Sequence, residues 1–251
     1  MNLKKQEQIL EIMESRNMIS IKELAGLLSC TEMTVRRNLD DMQARNLVKR
    51  EHGYATLLAT ARPTDYNVEI HEHSEEKKKI AAAAVSYLSA GQSICLDSGT
   101  TVLQMAGLIP SGLPLSVITP SLETALALAP NPDIQVLMPG GFLDHSNRAL
   151  LINDPQEMEK YKVDIAFLSC RSFRLPGGTF EHSQKMMSTK RAIASIAQKK
   201  ILLLDHSKWD SSSIFSCIPL SWVDVIITDK KAPEEQVEKA RELGVEVVIA
   251  E

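Results

Sequence analysis

From Ser93 to Ile249 the sequence alternates between short runs of β-branched residues and leucine and stretches with helical periodicity. Few architectures accept that pattern. Candidate strands are Ser93–Leu96, Leu115–Thr119, Ile134–Met138, Asp164–Leu168, Ile201–Leu204, Asp224–Thr228 and Val245–Ile249. Between most of them lie amphipathic stretches at about 101–108, 121–128, 154–160, 184–198 and 233–243. Strands apolar along their whole length are buried on both faces, so a mostly parallel sheet covered by helices on both sides is expected. The last helix starts at Pro233 and stops at Gly244; proline presets the first helical φ and glycine accepts the left-handed residue beyond the last turn. An earlier helix runs from Lys77 to Leu88, with Ile80, Ala83, Ala84 and Leu88 inward.

Ligands of such sheets bind beyond the carboxyl ends of the strands, where the winding reverses. Small polar clusters stand at several of these ends. Asp97-Ser98-Gly99-Thr100-Thr101 joins a strand to a helix. Gly99 admits close backbone approach, the three hydroxyls add donors, and free N–H groups at a helix start favour an anion such as phosphate. The same pentapeptide also reads as a plain capped turn. Thr119-Pro120-Ser121, Pro139-Gly140-Gly141 and Asp205-His206-Ser207-Lys208 end three further strands. Lys208 suits a phosphate or hydroxyl oxygen, Asp205 a sugar hydroxyl, and Lys190 and Arg191 are further cations. Each cluster alone reads as a turn; together they predict a pocket for a small polar anion. No GxxxxGK[ST] loop is present, so nucleotide hydrolysis is not supported.

The N-terminal segment follows a different logic. Val35, Leu39 and Met42 share one helical face, so Met33, Thr34, Arg36 and Arg37 point away from it. Thr31 caps the start. Arginine matches phosphate oxygens and the guanine O6/N7 edge. The alternative is a solvated face of Arg36–Asp40 and Arg37–Asp41 pairs. Upstream, Lys4 to Arg16 forms an amphipathic helix, and Ser20-Ile21-Lys22-Glu23 is a capping box opening a short helix with Leu24, Leu27 and Leu28 inward. Ser29-Cys30-Thr31 turns into the recognition helix, giving a helix-turn-helix. Leu47–Arg50 and Tyr54–Leu57 form two strands about a Glu51-His52-Gly53 turn, a wing that holds Lys49, Arg50 and His52 near a duplex backbone.

The expected organisation is a DNA-binding domain over residues 1–58, a polar linker over 59–76 and an α/β domain over 77–251. His71-Glu72-His73 in the linker reads as solvated rather than metal-binding. Formal charge is −4, and residues 1–55 carry nine Lys/Arg against eight Asp/Glu. Nonspecific attraction to DNA is therefore weak per subunit, and binding relies on specific contacts and on avidity in a homodimer or homotetramer. Cys30, Cys95, Cys170 and Cys217 show no CxxC spacing. With no leader and no apolar run of about 18 residues, the expectation is a cytoplasmic protein with reduced thiols, no metal, no cofactor and no membrane segment.

Residues 3–57 resemble the DNA-binding domain of the DeoR family of bacterial transcription regulators through Glu23-Leu24-Ala25, Thr34-Val35-Arg36-Arg37-Asn38-Leu39 and Val48-Lys49-Arg50-Glu51-His52-Gly53. Where the family usually has Asp and a second Gly, this chain has Asn38 and Tyr54; Asn38 is read as one charge fewer beside the DNA face, and Tyr54 as stiffening or re-aiming the wing. Residues 75–250 resemble the family's sensor domain through Lys79-Ile80-Ala81, Asp97–Thr101, Gly140-Gly141, Asp164–Phe167, Lys190-Arg191 and Asp205–Lys208. That resemblance implies a fold like ribose-5-phosphate isomerase and CoA transferases, and a sugar phosphate as inducer. Leu168–Phe173 stands where the family is often Gly-rich, and Pro120 where it often has Asn, so an unusual sugar or polyol phosphate is expected, with Arg171 as an added anion contact. The expected protein binds double-stranded operator DNA, represses, and is released by a phosphorylated sugar or polyol. The alternative is an isomerase-like enzyme using Asp97 or Asp205 as base and Lys208 as electrostatic helper. The fused DNA-binding domain favours a switch, which needs differential affinity rather than turnover.

Overall fold

The computed structural model of the chain describes residues 3–16, 18–44, 47–57, 66–211 and 213–251. The N-terminal part holds α1 (Leu3–Ser15), β1 (Met18–Ser20), α2 (Ile21–Leu27), α3 (Glu32–Ala44), β2 (Val48–Glu51) and β3 (Tyr54–Leu57). The strands pair antiparallel in the order β1–β3–β2, a three-stranded wing rather than the expected two. Ser20 caps α2, its hydroxyl accepting from the Glu23 amide at 3.1 Å. The other half of the expected capping box is replaced: the Glu23 carboxylate pairs with Arg16.

Val35, Leu39 and Met42 are buried with Ile9, Leu10, Met13 and Leu24. Burying each such side chain contributes about 1.5–3 kcal/mol, and this anchors α3 with its other face outward. Asn38 corrects the sequence reading. It is 7% exposed and its Nδ2 donates to the Thr34 carbonyl at 2.8 Å, so it faces the domain interior and not a duplex. The wing turns through His52 (φ 49°) and Gly53 (φ 84°), two left-handed residues between paired Glu51 and Tyr54, which is what a tight two-residue hairpin requires.

The second part begins with α4 (Tyr66–Glu69) and α5 (Ser74–Val85), and continues β4 (Ser93–Leu96), α6 (Thr100–Ala106), β5 (Leu115–Ile118), α7 (Leu122–Leu128), β6 (Ile134–Leu137), β7 (Gly141–Asp144), β8 (Ala149–Ile152), β9 (Val163–Leu168), β10 (Ser172–Arg174), β11 (Gly178–Glu181), α8 (Gln184–Ser195), β12 (Ala197–Leu204), β13 (Phe215–Ser216), β14 (Val225–Asp229), α9 (Glu234–Glu242) and β15 (Glu246–Ala250). Seven strands pair in parallel in the order β15–β14–β12–β9–β4–β5–β6. Ile80, Ala81, Val102, Met105 and Leu128 of α5 to α7 pack on one face. Ile193 of α8 and Val237 and Ala240 of α9 pack on the other.

From β4 the chain winds outward through β5 and β6, then returns to place β9 on the opposite side of β4. That reversal is the topological switch point. The antiparallel β7–β8 hairpin and the small β10–β11–β13 sheet were not expected from the sequence, and the stretch at 154–160 is a 3₁₀ helix, Pro155–Lys160.

The expected linker at 59–76 needs revision. Residues 58–65 lie outside the described residues, but Tyr66 is buried and Lys77, only 1% exposed, donates through Nζ to the Glu69 carbonyl at 2.5 Å. From Tyr66 onward this segment is part of the α/β domain. The two parts also touch: Ile214 and Phe215 join the hydrophobic cluster formed by Ile9, Leu39 and Leu57.

Candidate functional site

The tips of β4, β9 and β12, three adjacent strands at the switch point, open into one crevice. Ser98, Gly99, Thr100 and Thr101 line it after β4, Arg171 after β9, and Asp205 and Lys208 after β12; Lys190 enters from α8. Asp97 lies beneath, with no exposed surface. One of its carboxylate oxygens accepts from the Ser98 amide at 2.7 Å. The other accepts from the Ser169 amide at 2.9 Å and the Ser169 hydroxyl at 2.6 Å, and meets Lys190 Nζ at 3.0 Å. Burial alone would raise this carboxyl, but Lys190 and Ser169 outweigh it and hold it below the usual carboxylate range.

Lys190 is equally committed. Its Nζ also meets Glu181 at 3.0 Å and donates to the Ser169 carbonyl at 2.9 Å. Burial would lower the amine; Asp97 and Glu181 overcome that and raise it above the ordinary lysine value. Lys190 is thus a structural tie between strand tips, not a cation waiting for a ligand. Gly99 has a related duty. A Cβ there would lie 2.2 Å from the Ser169 hydroxyl oxygen, so glycine is required by Ser169 packing against the β4 turn.

Lys208 is different. Its Nζ meets the Glu69 carboxylate at 3.0 Å, and Arg171 stands 3.8 Å from the same carboxylate's second oxygen, with side chains 14–22% exposed. Burial tends to raise Glu69, and Lys208, Arg171 and Lys77 more than reverse it, so Glu69 is held ionised. Tyr66, Glu69, Lys77, Glu181 and His182 all line the crevice, and none was singled out from the sequence. Lys77 and Glu69 sit in a strongly charged stretch that resembles a solvated face; nothing local marks them as buried.

Apart from the sealed Asp97, five expected residues do not reach this crevice, among them Arg191, whose guanidinium donates to the Cys217 carbonyl at 2.6 Å. Thr119 is buried, and its hydroxyl accepts from the Ser121 amide at 3.2 Å. Ser121 caps α7, accepting from the Thr124 amide at 3.1 Å. Gly141 is demanded by the β7–β8 hairpin, since a Cβ would lie 2.1 Å from the Leu151 carbonyl oxygen. Gly140 belongs to a separate depression with Pro139 and Asn153.

On α3, Thr31 caps the helix, accepting from the Thr34 amide at 3.2 Å. Met33 is 63% exposed, and Arg36 and Arg37 face outward. The ion pairs differ from the expected ones. Arg36 meets Glu32 at 3.2 Å, Lys49 meets Glu51 at 2.8 Å, and Asp40 takes Arg50. His52 stands exposed at the wing tip. A helix with exposed guanidinium groups beside a basic wing is the face a major groove and its flanking phosphates accept.

Fold and surface together define a DNA-binding regulator: a winged helix joined to an α/β domain with a crevice at its switch point. Family models agree in both halves. One described as the DeoR-like helix-turn-helix domain matches residues 5–61, and one described as the DeoR C terminal sensor domain matches residues 72–230. The chain belongs to the DeoR family of transcription regulators. It is 30% identical over 249 residues to the HTH-type transcriptional regulator GolR of Listeria innocua, covering 98% of each chain. It is 26% identical over 226 residues to the glycerol-3-phosphate regulon repressor of Escherichia coli, covering 90% of each. Among solved structures, ribose 5-phosphate isomerase A of Methanocaldococcus jannaschii aligns over 55% of each chain with a TM-score of 0.41 and 18% identity. Among the described residues, no helix is long and apolar enough to cross a membrane.

Proposed function

We propose that this regulator is a repressor whose α/β domain binds a phosphorylated sugar or polyol and thereby releases operator DNA. The observation that carries this reading is the convergence of Ser98, Thr100, Thr101, Arg171, Asp205 and Lys208 on one crevice at the ends of three neighbouring strands. Hydroxyls and a carboxylate suit a polyol; Arg171 and Lys208 suit its phosphate. A relative named for glycerol 3-phosphate fits the same ligand class. Thr31, Met33, Thr34, Arg36, Arg37, Lys49, Arg50 and His52 contact the operator, with the wing cations exchanging their carboxylate partners for phosphates. The working unit is a homodimer or homotetramer in the cytoplasm, reading a repeated or palindromic site.

Turnover is not part of this function. Asp97 is sealed beneath the crevice and consumed by Lys190 and Ser169, a poor position for a base that must meet a substrate proton. The test is a panel of pentose, hexose and polyol phosphates titrated against the full chain on a labelled operator fragment. At least one member raises the melting temperature and loosens the operator complex, and none is interconverted. A panel with no stabilising member, or any isomerisation, overturns the reading.

A further inference from the structure

The crevice proposed for the effector already holds an anion, and that anion is part of the protein. Glu69, at the end of α4, bridges Lys208 at 3.0 Å and Arg171 at 3.8 Å, while Lys77 Nζ fixes the Glu69 carbonyl at 2.5 Å. Asp97 and Glu181 are both paired with Lys190, and Glu181 also accepts from the Arg171 amide at 3.2 Å. Asp205 is the remaining carboxylate of the lining, and it accepts from the Ser207 amide at 3.0 Å and the Ser207 hydroxyl at 2.5 Å.

We propose that Glu69 is an internal stand-in for the effector's anionic group: it fills the subsite formed by Lys208, Arg171 and Lys77, and a phosphate must displace it to bind. The inference rests on the effector reading above and adds the group that sets its affinity. The charges favour the exchange. Glu69 brings one negative charge to Lys208 and Arg171, whereas a phosphate monoester near pH 7 carries about −1.5 to −2. A tetrahedral dianion with three acceptor oxygens satisfies both side chains more fully than one carboxylate at 3.0 and 3.8 Å.

A second observation comes from the other end of the same short helix. Tyr66 is 6% exposed and lines the crevice, and its buried hydroxyl has no hydrogen-bond partner among the described residues. A buried hydroxyl left unsatisfied costs about 1–3 kcal/mol, which a ligand oxygen in the crevice would recover. Glu69 and Tyr66 thus make α4 the element that a ligand meets. In sequence it is also the described part of the α/β domain nearest the DNA-binding domain, so displacing Glu69 acts on the first described helix after the wing.

Inorganic phosphate is the probe, titrated calorimetrically into the full chain at constant ionic strength. A site blocked about nine times in ten binds about tenfold more weakly than an open one, so Glu69→Gln is expected to bind phosphate about tenfold more tightly than the parent. Glu69→Asp keeps the charge but withdraws it by one methylene, and falls between the two. It also serves if the Gln variant folds poorly. Lys208→Gln binds more weakly than the parent. If Lys208→Gln weakens phosphate binding while neither Glu69 variant tightens it, the stand-in is overturned and the effector site survives. Should phosphate bind no variant, or bind all alike, both readings fall.

Discussion

Two lysines in the same crevice show how differently one side-chain type is used. Lys190 is 5% exposed, wedged between Asp97 and Glu181 at 3.0 Å from each, and bonded to Ser169 besides. Lys208, from the next strand tip, faces a single carboxylate that arrives from another helix. The first has every valence taken by rigid strand ends and cannot change partners without exposing two buried carboxylates. Among the described residues, the second has one side-chain partner, on a short element, at the open side. The lesson is that a cation in a pocket is assigned by what already holds it. Lys190 builds the crevice; Lys208 is positioned to use it.

The sharpest way to break this contrast is Lys190→Met. It leaves Asp97 and Glu181 buried without their cation, and stability should fall by about 3–5 kcal/mol in chemical denaturation. The pair also fixes a pH profile. Asp97 is held below the unfolded carboxylate value, so the unfolded chain takes up the proton first, and the stability it adds drains as pH falls below about 4. Lys190 is held above the unfolded value, so its share persists through neutral pH and is lost only as pH rises past about 10. A flat stability profile through the acid range would separate Asp97 from the tie.

Gly99→Ala comes next. Its methyl would overlap Ser169 and cost about 1–3 kcal/mol, whatever ligand is present. If it folds normally but loses only effector response, the glycine serves the ligand and not Ser169. Arg37→Ala should cost about 1–3 kcal/mol in specific operator affinity, read by footprinting, with no change in melting temperature. The smallest effect on stability is expected for Lys208→Gln, within about 1 kcal/mol, because its ion pair is partly solvated. Its operator binding stays intact while the effector response is blunted. A collapse of stability there equal to that of Lys190→Met would erase the distinction between the two.

The seven parallel strands were legible because each is a run of β-branched or leucine residues between amphipathic helices, a pattern local to the chain. The smaller pairings were not. Phe215–Ser216 is two residues long and becomes a strand only because Glu181 and Phe180 lie opposite. Met18–Ser20 reads as the approach to a helix cap, yet pairs with Tyr54–Thr56. The crevice was half visible. Asp97–Thr101 and Asp205–Lys208 stood out as polar clusters closing apolar strands. Thr119, Ser121 and Gly141 had the same appearance, but hydroxyls used for capping and a glycine pressed on a carbonyl cannot be told from ligand-facing ones without the neighbours. Glu69 and Lys77 were hidden for the opposite reason. Charged residues in a charged stretch carry no periodic signal, and Lys77 leaves water only because the fold lays α5 on the sheet and sets the Glu69 carbonyl over its amine.

Ile214 and Phe215 complete a core that begins at Ile9. The reader is thus finished by residues some 150 positions beyond its own last strand. Cut away on its own, it would leave an oily socket where that pair inserts. A reader grafted from a relative would have to present a matching hollow. In this chain head and body are therefore not interchangeable cassettes, and this pair is the first place to look when a chimera fails to fold.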